Sequence, residues 1–276
     1  MADRPARPRP GRAESRESAE LRALKQQQPA LADAIDMHLE LLEVQHRLQA
    51  RIPLPSLNVN DTLFRYHQAQ ARPLLSFEDI PLELTELRLA VRQTADILHR
   101  FGALEDAEFQ TVEALGRDAA LLSVVGDWYR TPVEASATDQ VVALAMRPFL
   151  SRCAEVVQQR PELADWQHPT CALCGGAPDF AVITPNAERH LICSRCGLRW
   201  KFEPLTCPYC RNSDRSRITS FATPDGRYRV YGCDACRRYL KAYDGRRAPR
   251  PVMPVVDGVA TLPLDAAAMQ RGYTGG

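Results

Sequence analysis

Eight of the nine cysteines in this 276-residue chain form four Cys-x-x-Cys pairs in its C-terminal half. A Cys-x-x-Cys turn places two thiolates on one side of a tight loop, and two such turns together can make a tetrahedral four-sulfur metal site. The pairs therefore predict two bound metal ions. The predicted ligands are Cys171, Cys174, Cys193, Cys196, Cys207, Cys210, Cys233 and Cys236. Because four protein ligands leave no open position for water, such sites are not suited to hydrolytic catalysis.

An internal repeat indicates which of these turns share an ion. Residues 171–202 and 207–243 both run through a Cys-x-x-Cys turn, a strand, a Thr-Pro turn, a second strand and another Cys-x-x-Cys turn. A duplicated metal ribbon explains these correspondences, so we expect the first four paired cysteines to bind one ion and the last four the other. An interleaved arrangement, in which the first pair joins the third, also satisfies the spacing but is less economical.

The all-cysteine donor set does not distinguish zinc from iron, because tetrahedral sulfur sites accept both metals. Zinc would be structural, whereas iron can change oxidation state and would allow electron transfer. Each pair could instead be a redox-active dithiol, but that chemistry needs a strand-to-helix context that lowers the pKa of one thiol. Pairs that lie on turns between strands and come in fours favour metal ligation.

The elements that must position these turns are short β-segments, which follow a long helical region. Helical apolar spacing continues from about residue 29 to residue 165 and indicates some six helices. Beyond the proline-rich boundary at 161–169 the pattern becomes that of short strands separated by turn residues. These strands are too short and too polar to build a large core, so we expect metal binding, worth on the order of 10 kcal/mol per site, to hold them together.

The sequence therefore predicts a multidomain α+β protein, in which an all-α N-terminal domain is followed by two tandem zinc-ribbon β domains. The N-terminal residues are Arg, Pro and Glu with little to bury, which is typical of a disordered tail. The predicted divisions are a tail (1–24), a helical domain (25–165), a first four-cysteine ribbon (166–205), a second four-cysteine ribbon (206–265) and a C-terminal tail (266–276).

Charge divides at the same boundary as the cysteines. Residues 1–170 carry 19 Lys and Arg against 25 Asp and Glu, whereas residues 171–250 carry 15 against 7. Four thiolates around a divalent ion leave a net charge of about −2, so part of this arginine excess is expected to be counter-charge. Arginines interleaved with tyrosines also fit a nucleic-acid-binding zinc-ribbon regulator, although the acidic helical half and the pI of about 7.6 weigh against it.

The remaining chemistry-bearing residues give weaker signals. Cys153 lies on a helical face and is expected to be a small buried hydrophobe. Two carboxylate-x-x-His sequences, Glu43 to His46 and Asp96 to His99, could contribute to a di-metal site in a helical bundle. Nothing in the spacing of the other carboxylates requires such a site, so ordinary surface or half-buried side chains are the simpler expectation.

Catalysis and membrane insertion are not expected from this sequence. No nucleophile–base pair, phosphate-binding loop or paired-carboxylate constellation stands out. No stretch approaches the roughly 18 apolar residues of a membrane span. The first twenty residues carry no apolar segment of a secretory signal, so a cytoplasmic location is expected.

The helical region, the four ordered Cys-x-x-Cys pairs and the Pro-Val-Met-Pro sequence at 251–254 resemble the formate dehydrogenase accessory protein family, FdhE, over roughly residues 25–265. The resemblance implies a cytoplasmic factor that is needed to produce active respiratory formate dehydrogenase and contacts its catalytic subunit before export. It also implies rubredoxin-like ribbons in which the eight paired cysteines bind two ions per chain, iron or alternatively zinc. Self-association is compatible with this assignment, and nucleic-acid binding is not expected from it.

Overall fold

The structure is a computed structural model, and it describes residues 14–57, 59–131 and 136–275. Seven α-helices precede the strands and two follow them within these residues. The helices are α1 (Arg16–Gln27), α2 (Ala32–Gln49), α3 (Asp61–Ala69), α4 (Leu84–Arg100), α5 (Asp106–Arg117), α6 (Leu121–Arg130), α7 (Ala137–Val157), α8 (Pro254–Ala260) and α9 (Leu262–Gln270). The strands are β1 (Pro178–Ile183), β2 (Arg189–Cys193), β3 (Arg199–Phe202), β4 (Ile218–Ala222), β5 (Tyr228–Cys233) and β6 (Tyr239–Asp244).

Helices α2 to α7 correspond to the six helices that the apolar spacing predicts. The apolar residues of helix α4 recur every three or four positions along one face. Leu87 and Val91 follow this spacing and are fully buried, so this face of α4 packs into the core of the helical layer. Helix α7 begins with a capping box in which Ser136 and Asp139 satisfy each other's backbone N–H groups. In the described part of the chain, no helix has both the length and the apolar character needed to cross a bilayer.

Helix α1 differs from the prediction of a disordered tail over residues 1–24, of which residues 1–13 lie outside the described residues. The Ser15 side chain caps the helix by accepting a hydrogen bond from the Ser18 N–H. Leu21 and Leu24 lie one turn apart and are buried against α2 and α8. The Arg- and Glu-rich composition of this segment gives no indication that these two leucines are buried. They are covered by the C-terminal helix α8, which is distant in sequence.

The two ribbons form one six-stranded sheet with the strand order β3-β2-β1-β6-β5-β4. Each ribbon contributes an antiparallel three-stranded unit. The units join through parallel pairing of β1 with β6, from Phe180 opposite Lys241 to Ile183 opposite Asp244. The duplicated halves therefore share backbone hydrogen bonds and are joined edge to edge.

The C-terminal helices α8 and α9 cover one face of the sheet, where the sequence predicts the end of a ribbon and a tail. Asp257 of α8 is fully buried and accepts hydrogen bonds from the Tyr228 hydroxyl at 2.7 Å and from Arg250 at 2.8 Å. Tyr273 packs directly on Gly232, where an added Cβ would lie 2.6 Å from the tyrosine ring. These contacts connect residues far apart in sequence, so local patterns do not reveal them.

Candidate metal centres

The eight paired cysteines lie in two groups of four, and within each group the Sγ atoms are all within 4.8 Å of one another. The first cluster is Cys171, Cys174, Cys193 and Cys196; the second cluster is Cys207, Cys210, Cys233 and Cys236. This is the sequential grouping that the repeat predicts, and the interleaved arrangement is not formed. Cross-turn Sγ–Sγ distances are 3.5 Å in the first cluster and 3.7 Å in the second. Four sulfurs bound at about 2.3 Å to one tetrahedral ion lie about 3.8 Å apart, so both clusters fit such an ion.

All four Cys-x-x-Cys turns have the same backbone hydrogen bonds. In each turn the N–H of the first cysteine donates to the carbonyl oxygen five residues later, and that cysteine's own carbonyl oxygen accepts from the N–H four residues later. These eight hydrogen bonds are 2.8–3.1 Å long. The repeated geometry explains how a short motif presents two sulfurs on one side of the chain.

The residue after the second cysteine of every turn is in the left-handed region, which favours glycine. It is Gly175 or Gly197 in the first cluster, with φ of 71° and 73°. In the second cluster it is Arg211 or Arg237, with φ of 62° and 60°. A side chain in this conformation costs roughly 1–2 kcal/mol. The backbone of the second cluster is therefore strained at these two arginines, whereas the glycines of the first cluster adopt the same conformation without strain.

The first cluster is built into the main hydrophobic core. All four of its cysteines are buried, none more than 3% exposed, within a core that also contains residues of α2, α4, α6 and α7. The segment before α4 pairs with the first turn: the N–H groups of Leu74 and Leu75 donate to the carbonyl oxygens of Ala172 and Leu173 at 2.8 and 2.9 Å. The buried Tyr129 hydroxyl of α6 donates to the Leu75 carbonyl oxygen at 2.8 Å. The helical layer thus holds this metal turn in place.

Arg195, between the second pair of ligands, ties the first cluster to helix α6. Its side chain is 2% exposed, and its guanidinium lies 4.0 Å from the centre of the Trp128 ring. It donates to the carbonyl oxygens of Trp128 and Tyr129 at the end of α6, both at 3.3 Å, where the helix dipole favours a cation. Gly176 leaves room for this arrangement, since an added Cβ would lie 2.9 Å from Arg195 Cδ and 3.0 Å from Cys193 Sγ.

The second cluster lies at a more accessible end of the sheet. Cys210 is exposed and Cys236 is half-buried, while the other two cysteines are buried. Tyr209, between the first two ligands, donates from its hydroxyl to the Pro178 carbonyl oxygen at 3.0 Å and is covered by Arg238 at 3.9 Å from its ring centre. The second cluster is therefore attached through its own ribbon and the neighbouring strand.

The thiols of each cluster perturb one another's ionisation. In the first cluster burial raises the pKa of Cys171, whereas hydrogen bonds from Cys171 and Cys193 lower the pKa of Cys174. In the second cluster burial raises the pKa of Cys207 to about 12. Burial also opposes ionisation of Cys210, but hydrogen bonds from the backbone and the neighbouring thiols lower its pKa overall. Since a metal ion requires four thiolates, binding must release protons, and affinity falls as the pH falls.

Buried arginines near both clusters agree with the expected counter-charge. Arg189 of the first ribbon donates to the Thr206 carbonyl oxygen at 2.6 Å, directly before Cys207. Burial lowers the pKa of this arginine to about 10, and the nearby thiol opposes that shift. Arg195, between Cys193 and Cys196, is the buried arginine beside the first cluster. An arginine close to thiol ligands in the sequence indicates a possible counter-charge for the metal site. Whether that arginine is buried depends on elements far away in the chain.

The other residues considered from the sequence make no further centre. Cys153 is fully buried in α7, and burial raises the pKa of its thiol to about 12, as expected for a small buried hydrophobe. His99 pairs with Asp106 at 2.8 Å and His46 with Glu17 at 3.6 Å. Among the described residues, the two cysteine clusters are the only groups of three or more metal-binding side chains, so the di-metal alternative is not formed.

No family model matches the chain. The curated proteins similar to it include the FdhE homolog of Actinobacillus pleuropneumoniae serotype 3, which is 27% identical over 175 residues. That match covers 61% of this chain and 57% of the relative, so the aligned region spans little more than half of the relative's length. The FdhE homolog of Haemophilus ducreyi is 25% identical over 273 residues, 94% of this chain and 85% of the relative.

The fold is similar to that of a solved protein, described as the FdhE protein from Pseudomonas aeruginosa. The TM-score is 0.65 with 18% sequence identity, covering 94% of this chain and 92% of the crystallised one. At this identity the likeness is one of fold. Together with the sequence relatives it confirms the resemblance noted above and the predicted fold class, a helical N-terminal region followed by a β region with two four-cysteine clusters.

Proposed function

We propose that this protein is a cytoplasmic accessory factor in the maturation of respiratory formate dehydrogenase. It would bind the immature catalytic subunit of that enzyme and carry one metal ion in each cysteine cluster. The observation that carries the proposal is the pair of four-thiol clusters, each spaced to fit one tetrahedral ion, on an FdhE-like fold. Sequence similarity to proteins named FdhE homolog supports the assignment of the client enzyme.

A docking and maturation role suits these clusters better than catalysis does. The eight cysteines would supply all ligands of two ions and leave no coordination position for a substrate. Each ion would hold two turns together and so fix the ribbons in shape. The helical layer and the sheet would then present a defined surface to the partner subunit.

Iron is the metal that we propose, with zinc as the alternative. Both ions accept four thiolates in a tetrahedron, and the donor set alone does not choose between them. Elemental analysis and an absorption spectrum of protein purified without oxygen decide the point. Ferric iron in four thiolates gives a coloured protein that bleaches on reduction, whereas a zinc protein is colourless.

The nucleic-acid-binding alternative is disfavoured by how the aromatic side chains are used. Arg238 covers the Tyr209 ring at 3.9 Å, and Arg271 covers the Phe221 ring at 4.1 Å. Bases of a single strand would have to displace these arginines before stacking on the rings. We therefore expect no steeply salt-dependent, nanomolar binding to RNA or DNA.

The proposed function is tested by capture of the client. The purified holoprotein is immobilised and incubated with the separately produced catalytic subunit of formate dehydrogenase, before cofactor insertion and after it. We expect retention of the immature subunit, and weaker retention of the mature one. Cells that lack this protein should also lose formate dehydrogenase activity. Equal failure to retain both forms, or tight nucleic-acid binding instead, would overturn the proposal.

A further inference from the structure

A buried arginine of the first ribbon contacts the chain that leads into the second cluster. Arg189, the first residue of β2, is 6% exposed and donates to the carbonyl oxygens of Glu203 and Thr206, the latter at 2.6 Å. Both carbonyl groups belong to the segment between β3 and the second cluster, and Thr206 directly precedes the ligand Cys207. One guanidinium thus holds this segment at two points just before the cluster begins.

The same guanidinium is also close to the ligands of the second cluster. Arg189 lines a recess of about 10 Å³, with room for about one water molecule, together with Cys207 and Cys233. Its Nε is buried and has no hydrogen-bond partner among the described residues. Four thiolates around a divalent ion carry a net charge of about −2. A cation at this position therefore favours the ligated form of the second cluster.

Tyr209, which lies between the ligands Cys207 and Cys210, makes a second contact between the ribbons. Its hydroxyl donates to the Pro178 carbonyl oxygen at 3.0 Å. Pro178 is the first residue of β1 and pairs with Cys193, a ligand of the first cluster, in the antiparallel ladder. A single hydrogen bond therefore connects a ligand turn of the second cluster to the residue opposite a ligand of the first.

Both contacts are made by the strand pair β1–β2 of the first ribbon. Strand β2 has Arg189 at one end and Cys193 at the other, about 13 Å apart in an extended strand. Strand β1 pairs with β2 and carries Pro178 at the Cys193 end. The strand pair thus contacts the second cluster from both of its ends, and one of these ends also carries a ligand of the first cluster.

We propose that Arg189 and Tyr209 are positioning residues of the second cluster, through which the first ribbon raises the affinity of the second cluster for its metal ion. Arg189 supplies positive charge and fixes the approach to the ligand turn, whereas Tyr209 fixes the turn itself. Because the second cluster has one exposed and one half-buried cysteine, it depends on such contacts for a fixed shape. The inference rests on the proposed binding of one ion per cluster and is independent of the client enzyme.

Zinc retention by the full chain tests this proposal at each cluster separately. The protein is loaded with Zn²⁺ during purification, and native mass spectrometry counts the ions that remain over a graded series of chelator concentrations. We expect the second cluster of the unmodified protein to lose its ion first. Cys210→Ser, which lacks that ion, identifies the step that belongs to the first cluster. Fewer than two zinc ions in the unmodified protein would overturn this inference together with the metal-binding part of the proposed function.

Substitution of Arg189 separates its charge from its volume. Arg189→Met should weaken zinc binding at the second cluster at least tenfold and leave the first cluster unchanged, and Arg189→Lys should recover part of this loss. The matched control is Arg215→Met, which removes the same charge from an exposed residue of the second ribbon and should change neither affinity. An equal loss in the control, or equal weakening at both clusters in Arg189→Met, would contradict the positioning role.

Tyr209→Phe removes one hydroxyl and changes neither charge nor shape, so it tests the proposal even if Arg189→Met does not fold. It should weaken zinc binding at the second cluster about threefold and leave the first cluster unchanged. The matched control Tyr239→Phe removes a hydroxyl that donates to Asp265 of α9 and should change neither affinity. If the unmodified protein holds two ions and Tyr209→Phe retains them equally well, this inference alone is overturned.

Discussion

The two cysteine clusters have the same ligands and the same four turns, but their surroundings differ. The first cluster is buried in the core that also holds the helical layer, whereas the second has one exposed and one half-buried cysteine. Helix α6 contacts the first cluster through Arg195, and the segment before α4 contacts it through the backbone at Leu74 and Leu75. A short motif thus determines the ligand geometry, while distant elements determine how strongly metal binding is coupled to the rest of the fold.

The largest expected effect is the difference between losing a ligand from the first and from the second cluster. Cys171→Ser should prevent stable folding, because metal ligation contributes on the order of 10 kcal/mol and a typical domain is stable by about 5–15 kcal/mol. Cys210→Ser should lose one ion and keep the helical layer. Soluble yield, elemental analysis and far-ultraviolet circular dichroism measure this. Equal behaviour of the two variants would show that the clusters are equally coupled to the core.

A smaller effect is expected from the arginines that stack beside each cluster. Arg195→Gln should lower the free energy of unfolding by about 3 kcal/mol, since it removes a buried cation–π contact and leaves two carbonyl oxygens without their donor. Arg238→Gln is the matched control, with nearly the same stacking distance on a more accessible surface, and should cost about 1 kcal/mol. Urea unfolding monitored by helix content compares them. Equal costs would mean that Arg195 does not couple α6 to the first cluster.

The smallest effect concerns the ion pairs of the two ribbons. The fully buried Asp244 of the second ribbon pairs with Arg246 at 2.7 Å and with Arg229 at 3.2 Å, which holds its pKa at about 2 against an ordinary 3.8. Asp244→Asn should therefore cost about 2 kcal/mol. The exposed pair Lys201–Glu188 of the first ribbon should contribute less than about 1 kcal/mol when Glu188→Gln removes it.

The pH dependence of the Asp244 effect has a definite sign. Because the folded pKa is lowered, the stabilisation is fully present above pH 3.8 and is lost only as the pH falls towards 2. The difference between the unmodified protein and Asp244→Asn should thus stay constant from pH 8 to pH 5.5 in urea titrations. Between pH 3.8 and pH 2 the difference should shrink, and a difference that stays the same over that lower range would mean that the carboxyl pKa is not lowered.

The parts of the molecule that depend on local spacing could be predicted from the sequence. The duplicated turns led to the sequential grouping of the cysteines, and the apolar period of 3.6 residues located helices α2 to α7. These features are encoded within one or two turns of chain. The left-handed residue after each turn is equally local, although arginine takes glycine's place in the second cluster.

The parts that depend on long-range pairing could not be predicted. Nothing near β1 indicates that it pairs with β6, some sixty residues later. Helix α8 is stabilised by the contact of Asp257 with Tyr228, and α1 by leucines that α8 covers. The unequal burial of the two clusters likewise follows from the elements that pack on them, so it could not be predicted from the cysteine spacing.

Metal release from the unmodified holoprotein, followed by native mass spectrometry in the presence of a chelator, tests the central claim most directly. The account predicts that the protein begins with two ions per chain, loses one ion first and passes through a stable species with one ion. In Cys210→Ser, whose remaining ion must lie in the first cluster, release should show only the slow step. Simultaneous loss of both ions, or rapid release from Cys210→Ser, would contradict the claim that metal binding is coupled to the helical core at the first cluster and not at the second.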